Sequence, residues 1–266
     1  MTYKFGFIGA GNMGGALIRA AAANNTDMKI AVFDVFEDKA REYAASYKNV
    51  SFADVKTVVT ESEYVFIGVK PQMAKELFDG IAPLFENNVP VLVSMLAGTS
   101  IEKLCTLSGK KMPVIRIMPN TPASIGEGVI LYCSNEAVSD EQINFFVNAM
   151  SGAGLLDKID ENKIDAASAV SGCGPAFAYM FIEALADGAV ECGIPRDKAM
   201  VYAAKMLSGA ADMVLETKLH PGALKDAVCS PGGTTIAGVH ALEDGAFRST
   251  VMNAVTSAYK RTLELK

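Results

Sequence analysis

The chain has 266 residues, 50% hydrophobic and 20% charged, which is length enough for one or two domains with a large core. That balance excludes disorder as the main state, and a net charge of −6 with no local basic cluster argues against a nucleic-acid-binding surface. Five cysteines (Cys105, Cys133, Cys173, Cys192 and Cys229) are odd in number and form no C-x-x-C pair, and the only histidines are His220 and His240. Neither a disulfide framework nor a metal site is expected, and a reduced, cytoplasmic chain fits this usage. Met1–Lys4 runs straight into an apolar stretch without the layout of a signal peptide or presequence, so no targeting segment is expected.

From Lys4 to about Lys158, short apolar runs alternate with amphipathic stretches. The runs Lys4–Ile8, Lys29–Asp34, Tyr64–Val69, Pro90–Met95 and Pro113–Met118 are rich in Val, Ile and Phe and read as strands buried on both faces. Between them, Asp38–Tyr47 has helical composition. Gln72–Phe85 places Met73, Leu77, Phe78, Ile81 and Leu84 at helical spacing, and another helix opens near Ser100. Residues 1–160 should therefore form a doubly wound α/β domain.

Beyond Asp160 the strand pattern stops. Gly174–Cys192, Pro195–Leu219 and Ala246–Lys266 read as long helices rich in Ala, Met and Leu, giving an all-α second domain over residues 161–266. Ala166–Ile182 carries no charge, but Gly172, Gly174 and Pro175 interrupt it and Glu183 ends it, short of the ~20 apolar residues of a span. It reads as a helix buried in protein, with no membrane partner. Apolar residues on more than one stripe of these helices point to self-association through this half.

Gly9-Ala10-Gly11-Asn12-Met13-Gly14 has the G-x-G-x-x-G form, between the strand Phe5–Ile8 and the helical stretch Met13–Ala23. That placement is what dinucleotide binding requires. Gly9 makes the tight turn, Gly11 leaves room for the pyrophosphate, Gly14 lets helix and strand pack, and the diphosphate sits on free helix-start amides. Asp34 closes the second strand and reads as the acceptor for ribose hydroxyls, which favours NADH over NADPH, or as an ordinary turn aspartate. Lys39 and Arg41 lie near enough to answer a 2′-phosphate. Three further turns end strands and should face the same crevice: Val69-Lys70-Pro71, Met95-Leu96-Ala97-Gly98, and Asn120 with Thr121-Pro122. Lys70 reads either as a cofactor contact or as a solvated turn lysine.

ALKDAVCSPGGTTIAGVHALE at Ala223–Glu243 closely resembles the signature of the pyrroline-5-carboxylate reductase family. The resemblance runs through the chain: GFIGAGNMG, GVKPQ at Gly68–Gln72, RIMPNTPA at Arg116–Ala123, SGCGPAFAY at Ser171–Tyr179 and EALADGAVECGIPR at Glu183–Arg196. It implies an N-terminal Rossmann domain, an all-α C-terminal dimerisation domain, dimers or rings of dimers, and NADH- or NADPH-dependent reduction of 1-pyrroline-5-carboxylate to L-proline. Many members carry Ser, Arg or Asn where this chain has Asp34 and Phe36, which leaves the choice of dinucleotide open.

Beside the resemblance, Cys229–Thr235 is a glycine-rich turn opening a helix over Thr234–Leu242. Free amides and hydroxyls there suit a small carboxylate, with Ser230, Gly232, Gly233, Thr234 and Thr235 as the contacts, and Gly233 and Thr234 as the amide donors. The alternative is a simple N-cap with glycine for geometry. The family places the threonine in the Thr235 position to hydrogen-bond the imine nitrogen, which makes Thr235 the catalytic candidate. Ser171–Pro175 reads either as close packing near the substrate or as tight packing across a dimer, the latter favoured. His220 should shape a helix entry. A β-hydroxyacid dehydrogenase of similar plan would need a lysine in Ala176–Ala189, where there is none. A non-catalytic NAD(H) sensor would need no anion-binding turn.

Overall fold

A computed structural model of the chain describes residues 1–86 and 88–264. Among these residues, eight strands form one sheet: β1 (Tyr3–Ile8), β2 (Ile30–Phe33), β3 (Val50–Phe52), β4 (Ser62–Ile67), β5 (Val91–Ser94), β6 (Val114–Met118), β7 (Gly128–Ser134) and β8 (Gly154–Lys158). Their order is β3-β2-β1-β4-β5-β6-β7-β8, and every neighbouring pair is parallel except β6 with β7. Five of the eight are the expected apolar runs. The additional β7, GVILYCS, is as apolar as they are, whereas β3 and β8 are short edge strands with mostly accessible residues.

Among the described residues, seven helices accompany the sheet: α1 (Asn12–Asn24), α2 (Glu37–Ser46), α3 (Val55–Glu61), α4 (Ala74–Ile81), α5 (Ile101–Leu107), α6 (Asp140–Met150) and α7 (Glu161–Ser171). Strand alternation sorts the core into two layers. Phe5, Phe7, Tyr64 and Phe66 join one, with Phe146 of α6, while Ile8, Val65 and Ile67 join the other, with Phe78 of α4. Phe7 stacks on Phe66 at 4.2 Å, and Phe5 meets Phe66 edge-on at 4.9 Å. Each such buried side chain stabilises the sheet by about 1.5–3 kcal/mol, so the strand ends are rigid platforms for the turns that follow. The helix expected over Gln72–Phe85 is narrower. Three-ten turns at Pro71–Met73 and Ala82–Glu86 flank α4, and in the second Pro83 has no amide to continue the ladder.

The chain divides into two compact units, residues 1–173 with the chain from Ala258, and Gly174–Ser257. The first unit therefore continues past Asp160. The reason is α7, which packs on β7 and buries Ile164 in the sheet's second core layer. The second unit holds α8 (Gly174–Glu191), α9 (Arg196–Thr217), α10 (Pro221–Ala227), α11 (Thr234–Asp244) and the start of α12 (Phe247–Glu264). Its buried apolar residues among those described are three alanines, Ala186, Ala199 and Ala203, where α8 and α9 approach closely. Met180, Val201, Tyr202 and Leu215 stay exposed.

Candidate active site

The glycine-rich turn is shaped by what a side chain would strike. Gly9 has φ +106°, and a Cβ there would lie 2.6 Å from the Gly68 carbonyl oxygen, where the loops after β1 and β4 touch. A Cβ on Gly14 would lie 2.1 Å from the Gly9 carbonyl oxygen, so α1 can pack this close to β1 only without one. Gly11 differs: a Cβ would meet nothing within 4 Å. Gly11 is also the N-cap of α1, with no side-chain cap. Orphan amides at a helix start, beside space kept open by a missing side chain, fit a diphosphate. Ala10 is buried and Met13 half-buried, while Asn12 is exposed at the mouth of this cradle.

Asp34 is buried and grips backbone on both sides. Its Oδ2 accepts from the Ala10 amide at 2.7 Å, and its Oδ1 accepts from the Phe36 amide at 2.9 Å. A carboxylate has about four acceptor sites, so ribose hydroxyls still find lone pairs there. The two cations that were candidates for a 2′-phosphate are engaged. Arg41 donates to Glu37 at 2.8 Å and lies over Phe52, and the Lys39 ammonium lies over the Phe36 ring.

The other turns lie beyond the C-terminal ends of β4, β5 and β6, where an open parallel sheet binds ligands. Lys70 is exposed, makes no ion pair among the described residues, and precedes Pro71 at the start of a three-ten turn; Val69 is half-buried. Leu96 is buried and Met95 half-buried, which leaves Ala97 and Gly98, the latter at φ +70°, as the accessible part of that turn. Asn120 also has a structural role. Its side chain is buried, donating to the Ser171 carbonyl at 2.9 Å and accepting from the Val129 amide at 2.8 Å, so it ties α7 and β7 to the end of β6. These bonds use one N–H of the Asn120 amide and one lone pair of its oxygen.

One buried ionic cluster lies outside the residues that the sequence singles out. Arg116 on β6 is 2% exposed and bonds Asp165 of α7 at 2.6 Å, with Glu161 at 3.5 Å. Glu161 also accepts from the Ile101 amide at the start of α5. The sequence signal was an arginine inside an otherwise apolar strand. Burial pushes the neighbouring Cys133 thiol up to about 11, with Glu161 and Asp165 adding to the shift and Arg116 opposing it, so it is a poor thiolate source.

In the second unit, Ser230-Pro231-Gly232-Gly233 is a turn with Pro second and Gly232 third at φ +69°, the type II pattern. The Gly233 amide closes it by donating to the Ser230 carbonyl at 3.0 Å. Gly233 is therefore not a free donor as expected. The amides without intrahelical partners belong to Thr234, Thr235 and Ile236, the first residues of α11 after its Gly233 N-cap. A Cβ on Gly233 would strike the Ser230 hydroxyl at 2.3 Å. Ser230, Gly232, Thr234 and Thr235 are all exposed. His220 caps α10, its Nδ1 accepting from the Gly222 amide.

Residues 161–265 match the model of pyrroline-5-carboxylate reductase dimerisation, and residues 4–98 match that of the coenzyme F420-dependent NADP oxidoreductases. The chain is 40% identical to the pyrroline-5-carboxylate reductase of Glycine max over 99% of its own length and 96% of the relative's. The chain belongs to the pyrroline-5-carboxylate reductase family. The Escherichia coli enzyme is 37% identical, with 100% of this chain and 99% of that one covered. Among solved structures, the Coxiella burnetii enzyme aligns with TM-score 0.90 at 30% identity over 100% and 99% of the chains. The Plasmodium falciparum enzyme, solved with NADP bound, aligns with TM-score 0.87 at 31% over 98% and 97%. The family's architecture, a Rossmann-type N-terminal domain and a helical C-terminal dimerisation domain, is the one seen here.

Proposed function

We propose that this chain reduces 1-pyrroline-5-carboxylate to L-proline, with the dinucleotide held by the first unit and the substrate carboxylate by the second. The observation that carries the reading is the start of α11, where three unsatisfied amides and two threonine hydroxyls follow a rigid Pro-Gly turn. A reduced nicotinamide, when bound, supplies the hydride to the C=N carbon. The chain's own contribution is positioning. The amides of Thr234 and Thr235 hold the carboxylate, and the Thr235 hydroxyl hydrogen-bonds the imine nitrogen, orienting it to take up a proton relayed from water. A hydroxyacid dehydrogenase reading is disfavoured, because Ala176–Ala189 on α8 has no lysine.

Thr235→Ala keeps the amides and removes the hydroxyl, so kcat should fall roughly 10- to 100-fold, with a smaller change in cofactor affinity. Thr234→Ala should be milder. Steady-state kinetics with pyrroline-5-carboxylate check both, and full activity of Thr235→Ala beside collapse of Thr234→Ala would invert the roles.

For the cofactor, the reading is a preference for NADH. A 2′-phosphate would approach the buried Asp34 carboxylate while Arg41 is paired with Glu37. Asp34→Ser should raise the ratio of NADPH to NADH use, since the repulsive charge is gone. Ratios of kcat/KM for the two cofactors measure this, and a wide NADPH preference in the unaltered protein would refute it.

The family match supports self-association through residues 161–265, and the small alanine core of the second unit with its exposed Met, Val and Tyr residues agrees. We read α8, which carries Glu183 and Asp187, as a protein–protein face and not a membrane segment. Dimers, or rings of dimers, in the cytoplasm complete the reading. Light scattering of dilute protein should give at least a dimeric mass; a stable, active monomer would contradict it.

A further inference from the structure

Phe36 is poorly explained by folding. It is the N-cap of α2, a position that strongly favours Ser, Thr, Asp or Asn, and its side chain makes no capping bond. It is 67% exposed, and its neighbour Val35 is 66% exposed. Two adjacent bare apolar side chains between a buried aspartate and the acidic start of a helix are a patch that a ligand, not the core, would cover. The backbone beneath them is fixed, because the Phe36 amide donates to Asp34 Oδ1 while Oδ2 of the same carboxylate holds the Ala10 amide of the glycine-rich turn. The Lys39 ammonium lies 5.1 Å from the Phe36 ring centroid, and the largely exposed ring keeps surface on which a planar group can lie.

The occupant follows from the order of the seats. A dinucleotide with its diphosphate on the start of α1 brings its adenosine ribose to Asp34 at the end of β2. The base is joined to that ribose, and the exposed apolar side chains that follow Asp34 are Val35 and Phe36. We propose that Phe36 is the platform on which the adenine ring stacks, flanked by Val35, and that this contact supplies much of the affinity for the adenosine half of the cofactor. The inference rests on the reading that the glycine-rich turn seats the dinucleotide.

Calorimetric titration of the full chain with ADP-ribose, which carries the adenosine half without the nicotinamide, tests it. Loss of base stacking in Phe36→Ser should weaken ADP-ribose about 5- to 150-fold. Phe36→Tyr and Phe36→Trp, which keep a flat ring, should stay within about 3-fold of the original. Thermal unfolding supplies the control. Serine is the better N-cap, so Phe36→Ser should melt no lower than the unaltered protein while binding more weakly. Unchanged ADP-ribose affinity in Phe36→Ser, or Tyr and Trp variants as weak as Ser, would overturn the platform. An unaltered protein that does not bind ADP-ribose would overturn the dinucleotide seat as well.

Discussion

Gly11→Ala should abolish most dinucleotide affinity while leaving the fold intact. Gly11 has φ −67° and ψ −169°, a conformation alanine adopts freely, and a Cβ there meets no atom within 4 Å. Folding is therefore indifferent to the methyl group, apart from the small preference among N-cap residues. The space it fills is the approach to the orphan amides of α1. A diphosphate pushed away from them loses charge-assisted hydrogen bonds of about 1.5 kcal/mol or more each, so two lost bonds weaken NADH about 100-fold or more. Gly14→Ala is the contrast. Its Cβ would sit 2.1 Å from a backbone oxygen that cannot rotate away, so α1 must move off β1. Stability should then fall by about 1–3 kcal/mol together with binding. Calorimetric NADH titrations paired with thermal melts separate the two, and Gly11→Ala binding NADH like the unaltered protein would remove the diphosphate from this turn.

That contrast also shows why the first turn was legible in the sequence. A strand, three glycines at fixed spacing and a helix start each have a separate physical requirement, and all three coincide at Phe5–Ala23. The turn at Ser230–Thr235 was legible in the same way, although the free helix-start amides begin one residue later. Pro231 followed by Gly232 specifies a type II turn, and that turn consumes the Gly233 amide. The edge strands β3 and β8 were illegible for a different reason. Hydrophobic runs report burial, and among the eight residues of these two strands only Val50 is buried. The β7 strand carried the full apolar signal and was legible in principle. Phe33–Phe36 shows a third case, in which Asp34 was read for its charge toward a ligand. The structure adds that the same carboxylate ties the glycine-rich turn to the start of α2, a contact 24 residues apart that no local pattern encodes.

The allegiance of α7 was the largest structural feature hidden from the sequence, and Arg116 adds a buried ionic contact to its packing on β7. Arg116 is 2% exposed on β6 and Asp165 is 3% exposed on α7, paired at 2.6 Å, with the more accessible Glu161 linking the cluster to α5. Forming a buried pair gains little net stability, but removing one member strands the other's charge. Arg116→Met should therefore destabilise the first unit by about 3–5 kcal/mol, since the carboxylate of Asp165 stays buried without its guanidinium. For a chain of this size that corresponds to roughly 6–20 °C in melting temperature. Glu161→Gln should cost far less, because its side chain is 36% exposed and water replaces the lost partner. Adding Asp165→Leu to Arg116→Met should recover part of the loss, because the buried carboxylate that lost its guanidinium is then absent. Urea unfolding of the single and double variants gives the cycle. An Arg116→Met protein within about 1 kcal/mol of the original would mean that α7 is held by Ile164 and Asn120 and not by this pair.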